Sequence, residues 1–564
     1  MKLTGAQIMM RALKDEGVDT IFGYPGGAVL DVYNELLNTD FRHILVRQEQ
    51  GAVHAADAYA RVSGKVGTCL VTSGPGATNA ITGIASAYSD SIPVVIFTGQ
   101  VPTPLIGNDA FQEVDIVGIS RPCTKHNYLV KDVNDLAQVI REAYYIAASG
   151  RPGPVLIDVP KDVIKATAAY NPPKEIKLKS YNPTYEPNIK QLHKVVDLVK
   201  TARQPVIFTG GGVILSDAAE ELTRFARSCR VPVTSSLMGL GSFPATDPLW
   251  LGMLGMHGTY RANMSVAACD LLIGIGVRFD DRVTGKIDAF AEQATIVHID
   301  IDPTSIHKNI PVAVPIVGDC RITLKHLNRL AAGQKPLLDE KANRDRDKWF
   351  QQIQQWKEAN RLDYQQKDVI KPQFVVEKLY ELTRGEAIIT TEVGQNQMWA
   401  AQYYHFDKPR HFVTSGGLGV MGFGLPAAIG AQVARPDKTV IDIAGDGSIQ
   451  MNIQEMMTAV SHHLPVKIAI LNNGYLGMVR QWQELFYDKR YSSTNMDAAP
   501  DFVKLAEAYG AVGLRATRPE EVEGVIREAL ATPKTVMIDF VVEREENVYP
   551  MVPAGSPITN MILV

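Results

Sequence analysis

Twice in this chain an apolar run ends in a glycine-rich turn, a helical stretch follows, and a proline opens the next apolar run. The first pass is Val66 to Thr72, the turn Ser73-Gly74-Pro75-Gly76, a helix around Ala80 to Ala87, then Pro93 to Thr98. The second is Thr439 to Ala444, the turn Gly445-Asp446-Gly447-Ser448, a helical Gln454 to Ser461, then Pro465 to Leu471. Short apolar runs alternating with helices mark the strand-helix-strand unit of a parallel sheet. One pass lies in the first third of the chain and one in the last, so two domains of one topology are expected.

At 564 residues the chain exceeds one core and divides into about three domains. A third α/β segment starts near Gln191, after the polar, Pro-rich stretch Asn171 to Pro187. It ends before the charged stretch Asp339 to Lys367. In that charged stretch Trp349, Ile353 and Trp356 recur at helical spacing, which reads as a surface helix leading into the last domain. The expected fold is α/β, with three doubly wound parallel-sheet domains over residues 1–170, 190–335 and 370–545. Residues 546–564 form a C-terminal tail. Pro550, Pro553, Gly555 and Pro557 give that tail the look of a flexible segment or lid.

A net charge of -4 offers no basic face to nucleic acid or to a membrane surface. The five cysteines are scattered without a C-x-x-C pair, which argues against a disulfide framework or a zinc site. With no run of about 18 apolar residues and no leader pattern, a cytoplasmic location is expected.

The turn Gly445-Asp446-Gly447-Ser448 carries the most chemistry. Its glycines let backbone approach a ligand, and free amides at a helix start attract phosphate. Asn473 follows at the end of the next apolar run, in Leu471-Asn472-Asn473. Neighbouring parallel strands end at one sheet edge, so Asp446 and Asn473 would aim oxygens at one spot. A carboxylate, an amide oxygen, a backbone carbonyl and phosphate oxygens make the hard shell that magnesium prefers. In the first third, Glu49 lies where a strand (Ile44 to Arg47) hands over to a helix (Ala52 to Arg61). Turns at Phe22 to Gly27, including Gly26, and at Thr72 to Asn79 read as walls of a ligand site. In the middle segment Gly210, Gly211 and Gly212 follow a strand, and Arg278 and Arg282 follow Gly274-Ile275-Gly276. Asp300 and Asp302 close the next apolar run. The third glycine of a dinucleotide fingerprint is missing, yet two arginines suit a pyrophosphate.

The Gly-Asp-Gly turn followed by Asn-Asn resembles the thiamine-diphosphate motif. Along nearly its full length the chain closely resembles the catalytic subunits of acetohydroxyacid (acetolactate) synthases. The stretches that carry the resemblance are Arg47 to Arg61, Leu70 to Asn79, Asp109 to Asn127, Met253 to Tyr260, Arg278 to Gly285, Ser415 to Gln432 and Gly474 to Gln483. The resemblance implies three cofactors: thiamine diphosphate, Mg2+ and FAD. It implies decarboxylation of pyruvate and transfer of the hydroxyethyl group to a second 2-keto acid. Pyruvate as acceptor gives acetolactate, toward valine and leucine; 2-ketobutyrate gives acetohydroxybutyrate, toward isoleucine. It implies metal ligation by Asp446, Asn473 and the carbonyl of Tyr475. Glu49 would be the catalytic acid that stabilises the reactive tautomer of the aminopyrimidine, with Gly419 and Met421 gripping that ring. Gln395, Asn396, Gly445, Gly447 and Ser448 would meet the diphosphate. Arg151, Gly210, Gly211, Gly212, Met256, His257, Arg278, Arg282, Asp300 and Asp319 would hold FAD. Gly26, Phe111, Gln112, Lys161, Met478, Val479 and Trp482 would line the substrate channel, with Trp482 favouring 2-ketobutyrate. Family members form homodimers or homotetramers, share active sites between chains, and often bind a regulatory small subunit. Two positions depart from the family, which often has His in place of Gln48 and of Asn396; both replacements still hydrogen-bond. An FAD-dependent pyruvate oxidase is the alternative reading.

Overall fold

The computed structural model describes residues 2–563 and contains three six-stranded sheets, parallel throughout. Across the first sheet the strands run Arg42–Leu45, Thr20–Gly23, Gly67–Val71, Val94–Gln100, Val155–Pro160 and His126–Leu129. Across the third they run Phe412–Val413, Ile388–Thr391, Val440–Gly445, Lys467–Asn472, Val536–Val541 and Val512–Ala516. Numbered by position in the chain, both sheets follow the same spatial order, 2-1-3-4-6-5. The topology expected from the two proline-opened passes is therefore present. The middle sheet runs Trp250–Met253, Val233–Ser235, Pro205–Thr209, Leu271–Ile275, Thr295–Asp300 and Val314–Val317. Its order, 3-2-1-4-5-6, is that of dinucleotide-binding folds. Strands such as Gly67–Val71 and Val94–Gln100 are buried at every residue, because helices cover both faces.

The first and third domains meet through two helices, Glu49–Ser63 and Gly424–Ala434, both buried along most of their length. The first is alanine-rich on the contact, and Gly430 on the second lies directly against the carbonyl of Ala55. Any side chain at 430 would push the helices apart.

One sequence expectation is met and one is corrected. The helix Glu340–Ala359 lies on the surface ahead of the third domain, as expected, and buries a single stripe. Trp349 and Ile353 are buried on one stripe with Arg346, whose Nη2 donates to the Val199 carbonyl at 2.8 Å. Trp349 Nε1 donates to the Pro205 carbonyl at 3.2 Å. The helix thus seals the core of the middle domain, and Arg346 caps the carbonyl end of the helix Ile189–Thr201. The C-terminal stretch, in contrast, is not a free tail. Val548, Met551, Val552 and Ile558 are buried. The Val552 N–H donates to the Met256 carbonyl at 2.8 Å, and Gln402 Nε2 donates to the Tyr549 carbonyl at 3.1 Å. The segment straps the third domain to the middle one because its few apolar residues find pockets there.

Candidate functional site

In each sheet the residues singled out from sequence, Arg151 apart, lie at or follow the C-terminal ends of the strands. Gly26, Glu49, Thr72 to Asn79, the segment holding Phe111 and Gln112, and Lys161 follow five strands of the first sheet. Gln395 and Asn396, Gly419 and Met421, Asp446 and Ser448, and Asn473 and Tyr475 follow four strands of the third. In open parallel sheets this edge is where ligands bind.

Asp446 is 1% exposed, and among the described residues neither of its carboxylate oxygens has a hydrogen-bond partner. Burial pushes its carboxyl up to about 7. A buried carboxylate without partners is costly unless something positive meets it. Asn473 is also buried; its Oδ1 accepts the Tyr475 N–H at 3.0 Å and keeps a second lone pair, while its Nδ2 donates to Gln395 Oε1 at 3.2 Å. The donor set fits a hard cation: one carboxylate, one amide oxygen and nearby carbonyls. It is unlike a zinc-type cluster, and no group of three His, Cys, Asp or Glu side chains suited to a metal occurs among the described residues. Gln395 is committed to neighbours, donating to Gln481 Oε1 at 2.9 Å and to the Glu546 carbonyl at 3.0 Å. Asn396 spends its Nδ2 on the carbonyls of Glu392 and Ile443, at 3.0 and 2.8 Å. A diphosphate contact from this side chain would need those bonds to be given up. Ser448 Oγ stays within its turn, 3.3 Å from the Gly445 amide, and Gly447 lies beside Leu476. Gly419 adopts φ +72° ahead of the half-buried Met421.

Glu49 opens the helix Glu49–Ser63 and is 9% exposed. Its Oε2 accepts from Asn79 Nδ2 at 3.0 Å, which leaves Oε1 free. Around it the two predicted turns converge. Gly76 lies so close that a Cβ there would be 3.2 Å from Glu49 Oε1, and Gly26 lies against the side chain of Thr72, where a Cβ would be 2.5 Å away.

A cavity of about 660 Å³ lies where the three domains meet. Arg151, Gly210, Gly211, Gly212, Met256, His257, Arg278, Arg282, Asp300 and Asp319 all line it, and so do Gly419, Met478 and Trp482. The glycines are needed for backbone approach: a Cβ on Gly212 would be 2.7 Å from Gly276 Cα, and one on Gly210 would strike the Gly276 carbonyl. Arg151 spans two domains, with Nε donating to Ser91 Oγ at 2.8 Å and Nη1 to Asp302 Oδ2 at 3.1 Å. Asp319 caps the helix Cys320–Ala332 through the Ile322 N–H. Burial pulls His257 down to about 4, and its Nδ1 lies 3.3 Å from the Pro550 carbonyl. Burial pushes Asp300 up to about 6.

Glu49, Asp446 and Asn473 do not line the cavity, nor do Gly26, Phe111, Gln112, Lys161 or Val479. Phe111 is 88% exposed and Val479 51%. Sequence reading did not single out Asp90 or Glu392. Asp90 accepts the Gly416 and Gly417 N–H groups, and Glu392 accepts those of Gly422 (2.6 Å) and Leu425 (3.2 Å). Both side chains shape the loop that carries Gly419 and Met421. The one available signal was an acid just past a buried strand or helix.

Three family models match the chain. The thiamine pyrophosphate enzyme N-terminal TPP binding domain covers residues 3–119, the central domain 192–327, and the C-terminal TPP binding domain 392–540. The acetolactate synthase large subunit of Haemophilus influenzae is 51% identical over 570 residues, covering 100% of this chain and 98% of the relative. The chain belongs to the acetolactate synthase large-subunit family. The acetolactate synthase isozyme 3 large subunit of Escherichia coli is 50% identical, with coverage of 100% and 98%. The Mycobacterium tuberculosis large subunit is 49% identical, with coverage of 98% and 90%. These relatives are synthases, so the oxidase alternative is not favoured. Among the described residues no helix is long and apolar enough to cross a membrane.

Proposed function

We propose that this chain joins two 2-keto acids with loss of CO2: two pyruvates give acetolactate, and pyruvate with 2-ketobutyrate gives acetohydroxybutyrate, in branched-chain amino acid biosynthesis. The observation that carries the reading is the buried, partnerless Asp446 carboxylate beside Asn473, at the sheet edge of a thiamine pyrophosphate domain. Asp446, Asn473 and the Tyr475 carbonyl would hold Mg2+ on a diphosphate. Thiamine diphosphate, when bound, supplies an acidic carbon that attacks a keto carbonyl and accepts the electron pair released with CO2. Glu49 would hold or release a proton toward the aminopyrimidine through its free Oε1, while Asn79 keeps Oε2 in place. FAD would occupy the three-domain cavity, with Arg278 and Arg282 toward its pyrophosphate and Gly210 to Gly212 against it. Met478 and Trp482, on the rim of that cavity, present an apolar wall to the acceptor keto acid.

Each active site is shared between two chains, joining Glu49 of one to Asp446 of the other. Exposed apolar side chains at both half-sites support this: Leu30 (55%) and Phe111 (88%) on the first domain, Leu418 (48%), Met451 (56%) and Val479 (51%) on the third. The large-subunit character of the relatives supports a regulatory small-subunit partner as well.

Purified protein incubated with thiamine diphosphate, Mg2+, FAD and pyruvate, with and without 2-ketobutyrate, tests the reaction by product identification. Acetolactate shifting to acetohydroxybutyrate is expected; acetate or acetyl phosphate with a bleached flavin would overturn it. Sedimentation at assay concentration tests the shared site, which an active monomer would refute.

A further inference from the structure

The helix Glu455–Ser461 belongs to the third domain, yet one face of it is committed to the first. Glu455 Oε1 accepts the Arg47 N–H at 3.0 Å, and Oε2 accepts from Thr458 Oγ1 at 2.6 Å. Thr458 Oγ1 also lies 3.5 Å from the Leu45 carbonyl. Past the helix end, His462 Nε2 accepts the Leu45 N–H at 3.1 Å. Glu455, Thr458 and His462 are spaced i, i+3, i+7, which places them on one helical face.

The strand Arg42–Leu45 is the edge of the first sheet. The N–H groups of Arg42 and Val46 point inward to the carbonyls of Asp19 and Gly23. Those of Leu45 and Arg47 point outward, as backbone alternation requires. These two outward groups are the ones His462 and Glu455 take. An edge that would otherwise be unpaired is closed by a helix from another domain. Two residues beyond Arg47 stands Glu49. The turn between them is packed tightly: Gln48 Oε1 accepts the Gly51 N–H at 3.3 Å, and a Cβ on Gly51 would be 2.8 Å from Glu455 Oε1. Glu455 itself is 1% exposed.

We propose that Glu455 is a positioning residue for Glu49: by fixing the Arg47 amide it sets the height and angle at which the Glu49 carboxylate meets the aminopyrimidine. The inference rests on the role given to Glu49 above. It gives the third domain a mechanical part in the chemistry of the first, beyond cofactor binding.

The test compares Glu455→Ala, Glu455→Gln, Glu49→Gln and the double variant Glu49→Gln/Glu455→Ala as holoenzymes. Glu455→Ala is expected to lower kcat on the order of ten- to a hundredfold, the cost of displacing a reacting group by about 1 Å, with little change in KM for pyruvate. Glu455→Gln should recover most of the loss, since its amide oxygen still accepts the Arg47 N–H. The double variant should be no slower than Glu49→Gln alone, because a misplaced carboxylate and an absent one fail at the same step. Without cofactor or substrate, hydrogen exchange of residues 45–51 should quicken in Glu455→Ala and not in Glu455→Gln. If the alanine variant does not fold, Glu455→Asp replaces it, drawing the carboxylate back from Arg47 with its charge kept, and the same pattern is required. Wild-type kcat in Glu455→Ala, or losses that multiply with Glu49→Gln, would overturn the proposal. Wild-type turnover in Glu49→Gln is a separate pattern: it would overturn the reading of Glu49 first, and this one with it.

Discussion

Asp90 of the first domain accepts the Gly417 N–H of the third at 2.7 Å and the Gly416 N–H at 3.1 Å. The same carboxylate pairs with Arg61, whose Nη2 lies 2.9 Å from Asp90 Oδ2 and whose Nε lies 2.5 Å from Asp57 Oδ1. All three side chains are buried, and the two acids hold Arg61 firmly charged. Asp90→Ala would leave Arg61 with one acid and free the loop before Gly419. Because Asp57 still balances Arg61, the expected cost is that of leaving the Gly416 and Gly417 amides without their acceptor, about 1–3 kcal/mol. It should show as a lower denaturant midpoint and a weaker apparent affinity for thiamine diphosphate, measured by unfolding curves and cofactor titration. An unchanged affinity would mean that the loop is held by Glu392 alone.

This junction also shows where sequence reading ends. The shared topology of the first and third domains was legible, because buried strands, glycine turns and proline-opened strands leave a periodic trace. The ten positions assigned to FAD from resemblance all line one cavity: nine lie at or just past strand ends of the middle sheet, and Arg151, ahead of the strand Val155–Pro160, reaches it from the first domain. Asp90 left no such trace: its partners Gly416 and Gly417 lie in another domain. Arg346 was hidden for the same reason, being a buried charge whose acceptors are the distant carbonyls of Val199 and Ala202. The C-terminal stretch misled because Pro and Gly suggest a loose tail, while Met551, Val552 and Ile558 are what hold it down.

Asp446 predicts a trade between stability and function. Its two partnerless oxygens are a cost in the cofactor-free protein, about 1–3 kcal/mol for a buried unsatisfied polar group. Asp446→Ala should therefore melt at or above the wild-type temperature without cofactor. It should also lose the rise in melting temperature that Mg2+ and thiamine diphosphate give the wild type. Thermal unfolding with and without the cofactor pair reads both effects. A variant still stabilised by the pair would remove Asp446 from the metal site.

Gly212 tests the flavin assignment. A Cβ there would be 2.7 Å from Gly276 Cα, so two backbone segments at adjacent strand ends must separate. Gly212→Ala is expected to fold but to retain little flavin after purification, read as the ratio of 450 nm to 280 nm absorbance. Full flavin content would show that the cavity tolerates the separation and that these glycines do not set the fit.

His54 predicts a pH effect. It is fully buried, and burial pulls its pKa down to about 3, from about 6.5 in an unfolded chain. A group depressed in the folded state contributes stability that is complete above the unfolded value and is lost as pH falls toward the folded one. Between pH 6.5 and 3 the loss approaches about 1.4 kcal/mol per unit. His54→Gln lacks this titration. Any stability advantage of the wild type over the variant at pH 7.5 should therefore shrink at pH 6 and further at pH 5, followed by denaturant midpoints. A constant gap would mean that folded His54 takes up its proton over the same range as the unfolded chain, so that burial does not depress it.

Trp482 carries the specificity prediction. It lines the cavity beside Met478, its ring is edge-on to Phe486 with centroids 6.2 Å apart, and the Arg282 guanidinium lies 6.0 Å from its centroid. Its Nε1 has no partner among the described residues, and the face of the ring offers an apolar wall. An acceptor with one more methylene gains about 1–3 kcal/mol against such a wall. Trp482→Leu shrinks that surface, so the preference for 2-ketobutyrate over pyruvate should fall by about tenfold while total carboligation persists. Competition between the two acceptors, with both products quantified in one mixture, gives the ratio directly. Because Arg282 would lose the ring it lies over, flavin content must be measured in the same sample. A lowered ratio at full flavin occupancy assigns the effect to the wall, whereas a ratio that recovers on adding FAD assigns it to the arginine.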